Sequence, residues 1–133
     1  MRNVYPVIMT QEGKFILVYV PDFEINTQGN DLADAIDMAR DAIGIVGIDM
    51  QDCGEAITEA SSIESAQAEA PVGAIVSLVD IDFDEYRKQN DMRAVRKNCT
   101  IPSWLNHAAE NAGVNFSAVL QAALKKELHI TRN

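Results

Sequence analysis

The sequence predicts an α+β protein in which an acidic front module of order β-β-β-α-β precedes a basic strand–helix–turn–helix tail. Three observations support this fold class. The N-terminal segments are rich in β-branched and aromatic residues, a later segment has helical periodicity, and the charge changes sign along the chain. With 133 residues, of which 47% are apolar, the chain is long enough for one domain or two very small ones.

The front module is predicted to begin with a β-hairpin. Residues 5–10 and 15–20 are rich in Val, Ile, Tyr and Phe, and a four-residue gap containing glycine separates them. Pro21 ends the second strand because proline lacks the amide donor that a strand ladder needs. Residues 23–27 are predicted to form a third, short strand.

A helix and a fourth strand complete the predicted front module. Apolar residues recur every three or four positions at Leu32, Ala35, Ile36, Ala39, Ile43 and Val46. Asn30 or Asp31 can cap this helix, and Gly54 is a plausible end. Residues 55–71, which are small, acidic or polar, are predicted to form a surface loop or the segment that leads into a strand, and residues 74–82 a central strand. The result is a sheet of about four strands with a helix on one face.

The tail is predicted to be one strand followed by two helices. After a polar junction at residues 83–91, which leaves room for a short helical turn, residues 93–101 alternate as a strand does. Pro102 fits the first position of a helix that ends at Gly113, and Asn115 is a natural N-cap for a second helix. A unit of about 40 residues cannot bury a core of its own, and its single strand has no partner. We therefore expect a homodimer with paired strands and interlocked helices.

The charges suggest that the two modules have different partners. Residues 1–86 carry three basic and 17 acidic side chains, a net −14, whereas residues 87–133 carry a net +5. A basic helical cap on a single fold is the alternative explanation. The longest apolar runs, of about six residues, are far shorter than the ~20 of a membrane span. Two separated cysteines and two histidines favour neither a disulfide framework nor a zinc site, and suit a cytoplasmic protein without a cofactor.

The tail sequence RKNCTIPSWLNHAAENAGVNFSAVLQAAL resembles the ribbon-helix-helix DNA-binding domain of the Arc/MetJ type, over roughly 93–130. In that family the two-stranded ribbon of the dimer enters the major groove. The resemblance implies that Arg96, Asn98 and Thr100 read base edges. The residue types suit this role, because arginine pairs favourably with guanine and asparagine with adenine. The alternative is an ordinary edge strand carrying charges that oppose aggregation.

The same resemblance implies phosphate contacts and a dimer core. Phosphates would be bound around Asn115, Phe116 and Ser117, where the second helix begins, and by Lys97, which can reach outward from an inward strand position. The single tryptophan is expected to anchor the dimer. The predicted dimer core comprises Cys99, Ile101, Trp104, Leu105, Phe116, Val119, Leu120 and Leu124.

The front sequence is similar to the HicB antitoxin family. The segments YPVI, FILVYVPDF and TQGNDLADAIDMA carry the resemblance, although Phe-Glu-Ile-Asn follows Pro21-Asp22 where many members have Leu-Pro-Gly-Cys. The resemblance implies a partial ribonuclease-H-like sheet that binds and inhibits HicA, a small basic ribonuclease toxin. It also implies a separate C-terminal module that represses the operon.

We therefore expect a non-enzymatic antitoxin with a toxin-binding domain at residues 1–86 and a DNA-binding, dimerising domain at residues 92–133. A tetramer built through the front sheet is left open. One alternative is a stand-alone repressor with a sensing or oligomerising front domain. Another is a metal-dependent nuclease of the ribonuclease-H type, whose candidate carboxylates would be Asp22, Glu24, Asp80, Asp82 and Asp84.

Overall fold

The computed structural model describes residues 2–130. The chain divides into two compact units, Met1–Arg93 and Ala94–Asn133. The first unit carries six basic and 18 acidic side chains, a formal net charge of −12, and the second carries five basic and two acidic ones, a net +3. The change of sign seen in the sequence therefore follows the structural division.

The first unit is built on a four-stranded antiparallel sheet with the strand order β3-β2-β1-β4. Its strands are β1 (Arg2–Glu12), β2 (Phe15–Val20), β3 (Ile25–Gly29) and β4 (Ile75–Asp82). In the register, Ile8 lies opposite Tyr19 and Tyr5 lies opposite Val79. The predicted hairpin and four-stranded sheet are confirmed. The hairpin loop is only two residues long, and Gly13 there has a φ of +59°, which glycine adopts without strain.

Three α-helices accompany the sheet: α1 (Leu32–Asp52), α2 (Ile63–Glu69) and α3 (Phe83–Asn90). Helix α1 begins where the sequence predicts, because the Asp31 side chain accepts a hydrogen bond of 2.8 Å from the Asp34 amide. Helix α1 packs on the sheet, and helix α3 packs on α1. Within residues 2–130, no helix is both long and apolar enough to cross a membrane.

The core of the first unit lies between α1 and one face of the sheet. Its buried members come from β1, β2, β4, α1 and the first residue of α3, and are Tyr5, Val7, Met9, Ile16, Val18, Val20, Ala35, Ala39, Ile43, Val79, Ile81 and Phe83. Glycines let α1 approach α3 closely. A Cβ at Gly44 would lie 2.6 Å from the Tyr86 ring, and a Cβ at Gly47 would collide with the ring of Phe83. These glycines, which weaken the helix signal in the sequence, are thus explained by packing.

Several expected boundaries in the first unit are wrong. Residues 55–71 are not all loop, because Ser62 caps helix α2 and Ala66 of that helix is buried. The short helical turn that the polar junction at 83–91 allowed is the longer, two-turn helix α3, whose first residue, Phe83, is buried. The third strand begins at Ile25 because Pro21–Phe23 forms a single turn of 3₁₀-helix. Short helices of this kind depend on tertiary packing, which local periodicity does not reveal.

The second unit contains two helices, α4 (Ser103–Asn111) and α5 (Phe116–Glu127). As predicted, Asn115 caps α5, and its Oδ1 accepts a hydrogen bond of 3.0 Å from the Ala118 amide. Pro102 is the N-cap of α4 and not its first residue. Gly113, with a φ of +70°, terminates the turn that follows α4.

The strand predicted at residues 93–101 is not formed. Residues 91–102 have no regular secondary structure in the single chain. A β-strand needs hydrogen bonds to a neighbouring strand, and a single chain offers residues 93–101 no such neighbour. The alternating sequence therefore has the side-chain pattern of a strand without the backbone pairing that would define one.

Candidate functional site

The two helices of the second unit expose an apolar face. Among residues 94–130, no side chain is buried, and Trp104 is 73% exposed. The large apolar residues that remain exposed are Val95, Ile101, Trp104, Leu105, Phe116, Val119, Leu120, Leu124 and Leu128. They include seven of the eight predicted dimer-core residues. The eighth, Cys99, is exposed and a free thiol. So many exposed large apolar side chains on one small unit are typical of an interaction surface.

The predicted base-reading residues lie in the irregular segment before α4. Arg96, Asn98 and Thr100 are all exposed, and in the part of the chain that the structure describes none of their side chains makes a hydrogen bond or an ion pair. Because the strand is absent, the structure does not align these three side chains on one face. They are available to a ligand but are not yet arranged for one.

The predicted phosphate-binding residues lie at the beginning of α5 and in the same irregular segment. The first amides of a helix, here those of Phe116 and Ser117, have no acceptor within the helix. The Asn115 side chain caps the helix, so only the backbone of Asn115 would be available to contact a phosphate. Lys97 is exposed. An anion at this position would meet amide donors and the positive end of the helix dipole.

Four charged residues, none of them a candidate from the sequence, connect the end of α1 to the end of the first unit. Arg93 Nη2 donates to Asp52 Oδ2 at 2.7 Å, and Arg93 Nε donates to Asp91 Oδ1 at 2.8 Å. Arg87 also pairs with both carboxylates, at 3.0 Å each, and donates to the backbone oxygen of Ile48 at 3.2 Å. We call Asp52, Arg87, Asp91 and Arg93 the ion-pair quartet. Only the i, i+4 spacing of residues 87 and 91 was visible in the sequence.

The quartet lowers the pKa values of its carboxyls. Hydrogen bonds from Arg93, with a further contribution from Arg87, hold the pKa of Asp91 far below its usual range. Hydrogen bonds from the same two arginines also lower the pKa of Asp52. The charged form of each carboxyl is therefore favoured in the folded chain.

At least three of the five carboxylates proposed for nuclease chemistry have structural partners instead. Asp80 pairs with Arg40 at 3.1 Å, and this hydrogen bond lowers the pKa of Asp80. Asp82 accepts a hydrogen bond from the Glu85 amide and caps α3, and Asp22 accepts from the Ser61 amide. Asp84 lies in the first turn of α3, and Glu24 follows the 3₁₀ turn. Within residues 2–130, no group of three or more potential ligands could hold a metal ion.

The outward side of α1 is acidic and partly apolar. Between Asp34 and the end of the helix, Met38, Asp41, Ile45, Asp49 and Asp52 follow at intervals of three or four residues. A groove of about 610 Å³ adjoins the C-terminal half of this side. Its lining consists of Ile45, Val46, Ile48, Asp49, Asp52, Asn90, Asp91, Met92 and Arg93.

The chain joins an acidic unit with an open helix face to a small basic unit that has no core of its own. This organisation is typical of a regulatory protein that acts by binding other macromolecules. Comparison with known proteins agrees. A model of the HicB-like antitoxin of bacterial toxin–antitoxin systems matches residues 5–123. The chain belongs to this family, so it is a regulatory protein and not an enzyme. A search of curated protein sequences gives no match.

Two solved structures are similar over almost the whole chain. One is a toxin–antitoxin complex from Streptococcus pneumoniae, with 25% sequence identity and a TM-score of 0.58 over 96% of this chain and 99% of the other. The second is the antitoxin HicB of Burkholderia pseudomallei, with 25% identity and a TM-score of 0.55 over 98% and 99% of the two chains. The resemblance to HicB antitoxins is confirmed.

Proposed function

We propose that this chain neutralises a small, basic HicA-type ribonuclease toxin through its first unit. The observation that carries the proposal is the family match over residues 5–123, which covers the sheet except residues 2–4 of β1 and includes helices α1, α2 and α3. The first unit has a formal net charge of −12, which suits a basic partner. Charge of this size accelerates capture of such a partner and makes capture sensitive to salt. The proposal also includes the fold that the family resemblance implies for the sheet, a partial ribonuclease-H-like fold.

The second unit, in this proposal, dimerises as a ribbon-helix-helix domain and binds operator DNA. Its exposed apolar face requires a covering surface, and a second copy of the same unit offers one of matching size and chemistry. Pairing of residues 93–101 between two chains would supply the missing strand hydrogen bonds. It would also place Arg96, Asn98 and Thr100 on one face, with Lys97 and the start of α5 near phosphates.

The two activities would reside in one homodimer, which we place in the cytoplasm, where both toxin and operator would be found. Repression of the protein's own operon would then depend on the ratio of toxin to antitoxin. Excess toxin would either strengthen the DNA complex through avidity or break it sterically. A tetramer formed through the front sheet is compatible with either behaviour.

Toxin neutralisation is tested by co-expression with the small protein encoded next to this gene. We expect that protein to arrest growth alone, to be harmless when the full chain is present, and to co-purify with it. DNA binding is tested by fluorescence anisotropy with the region upstream of the gene at two salt concentrations. We expect binding that weakens steeply with salt. Binding of DNA without any effect on the neighbouring protein would support the stand-alone repressor instead.

A further inference from the structure

We propose that the toxin docks on the outward side of helix α1, with one of its apolar side chains in the groove beside Ile45. This inference rests on the proposed toxin-binding function and specifies the surface that performs it. We call Asp34, Met38, Asp41, Ile45, Asp49 and Asp52 the α1 outer face.

The α1 outer face is a continuous, accessible stripe. Successive members are three or four residues apart, so they lie along one side of the helix over about 27 Å. Two of them are large apolar residues: Met38 is 41% exposed and Ile45 is 53% exposed. The opposite side of the same helix carries Ala35, Ala39 and Ile43, which are fully buried against the sheet. The core therefore does not use the outer face.

Charge selects the kind of partner for this face. The α1 outer face contains four carboxylates and no cation, and the single arginine of α1, Arg40, is directed to β4, where it donates to the Asp80 backbone oxygen at 2.8 Å. The Asp49 carboxylate has no hydrogen-bond or ion-pair partner in the described part of the chain. Asp41 is held in position by the Tyr86 hydroxyl, which donates to it at 2.8 Å. Fixed carboxylates beside apolar side chains are complementary to a basic surface.

The groove provides a place for an anchoring side chain. Ile45, Val46 and Ile48 of α1 line it with apolar side chains, and so does Met92, which is 85% exposed. Within the groove, Arg93 pairs with Asp52 and Asp91, so this end is nearly neutral, while Asp49 stays free. An apolar anchor in a pocket surrounded by charges is the usual centre of a protein interface.

The outer face of the sheet is the competing surface. It also exposes apolar side chains, Phe15, Leu17 and Leu78, but the cavity there is smaller, about 250 Å³. Its neighbours include both Lys14 and Glu12, so its charge is mixed. Of these two surfaces, it is therefore the α1 outer face that combines excess negative charge with the larger groove.

The test compares two matched variants of the full chain. Ile45→Lys with Asp49→Lys changes the α1 outer face, and Leu17→Lys with Glu12→Lys changes the sheet face by the same +3 charge. The probe is the small protein encoded next to the gene, separated from its co-expressed complex by denaturation and refolded. Its Kd for each variant is measured by calorimetry, and circular dichroism checks that each variant is folded.

We expect the α1 variant to bind the probe at least about a hundredfold more weakly, and the sheet variant to bind within about threefold of the unchanged chain. Equal binding by the α1 variant and the unchanged chain would overturn the docking site and leave the proposed function intact. No binding by the unchanged chain would overturn the proposed function itself. If the α1 variant does not fold, Met38→Lys alone tests the same face and is expected to weaken binding about tenfold.

Discussion

Arg93, the last residue of the first unit, donates a 2.7 Å hydrogen bond to Asp52, the last residue of helix α1. The contact joins positions 41 residues apart and belongs to the ion-pair quartet, in which Arg87 and Asp91 complete the alternation of charges. Neighbouring Met92 is largely exposed. Ion pairs, and not apolar burial, therefore fix the path of the chain where the first unit ends. Single exposed pairs contribute little, so the effect depends on the network.

Replacing Arg93 with glutamine should raise the pKa values of Asp52 and Asp91 towards the ordinary aspartate value. The Arg93 guanidinium is the largest cause of both depressed values, since it donates hydrogen bonds to each carboxylate. Carboxyl titration followed by NMR measures the change. Arg2→Gln is the control, because Arg2 lies near Asp80 and should leave both pKa values unaltered. Unchanged values in Arg93→Gln would contradict the quartet geometry.

Acid should remove the stability that the quartet contributes. Because folding depresses the pKa of Asp91, the unfolded chain binds more protons near pH 4, and stability falls as the pH decreases. The contribution is complete above the unfolded pKa of about 4 and is lost below it, towards the folded value. Urea unfolding should therefore show Asp91→Asn to be less stable than the unchanged chain at pH 7, with a smaller difference at pH 2.5. A difference that is independent of pH would disprove the linkage.

Gly47→Ala should destabilise the first unit by about 1–3 kcal/mol, although alanine is the better helix former. An added Cβ would collide with the Phe83 ring, which is buried in the core. Thermal or urea unfolding measures the free-energy change. In a Phe83→Ala background the ring is gone, so the cost of Gly47→Ala should largely disappear. An equal cost in both backgrounds would show that the ring is not the obstacle.

Trp104→Ala should weaken self-association of the full chain by about thirtyfold or more. Trp104 is a large aromatic side chain at the start of α4 and is 73% exposed in the single chain, so a dimer would bury it. Analytical ultracentrifugation over a concentration series measures the dissociation constant. Val72→Ala is the control, because Val72 is fully exposed in the first unit. Equal dissociation constants for Trp104→Ala and the unchanged chain would argue against a dimer through these helices.

Arg96→Ala should abolish specific binding to the operator and leave toxin neutralisation intact. A bidentate contact from arginine to guanine contributes about 1–3 kcal/mol of discrimination, and a homodimer loses two of them. Anisotropy with operator and scrambled DNA measures specificity, and growth rescue measures neutralisation. Lys14→Ala, in the front hairpin, should bind DNA normally. Retained specificity in Arg96→Ala would refute base reading by this segment.

Elements with a strong local pattern were predicted closely. Strand β2 occupies Phe15–Val20 as expected, Asp31 caps α1, and Asn115 caps α5. Each depends on residues that are close in sequence. Strand β2 is a run of β-branched and aromatic residues, and each capping side chain accepts a hydrogen bond from the amide three residues further along the chain. The exposed apolar face of the tail followed from the same kind of periodicity.

Contacts between distant residues needed the tertiary structure. The quartet joins residues 52 and 93, and the groove beside Ile45 exists because residues 90–93 lie against α1. Helix α2 is stabilised by its packing on the sheet, and the glycines at 44 and 47 make sense only against the rings of α3. The segment at 93–101 shows the reverse case. Its side chains alternate as in a strand, yet backbone pairing needs a partner that one chain does not contain. Local pattern sets what a segment can become, and the surfaces available for packing decide what it forms.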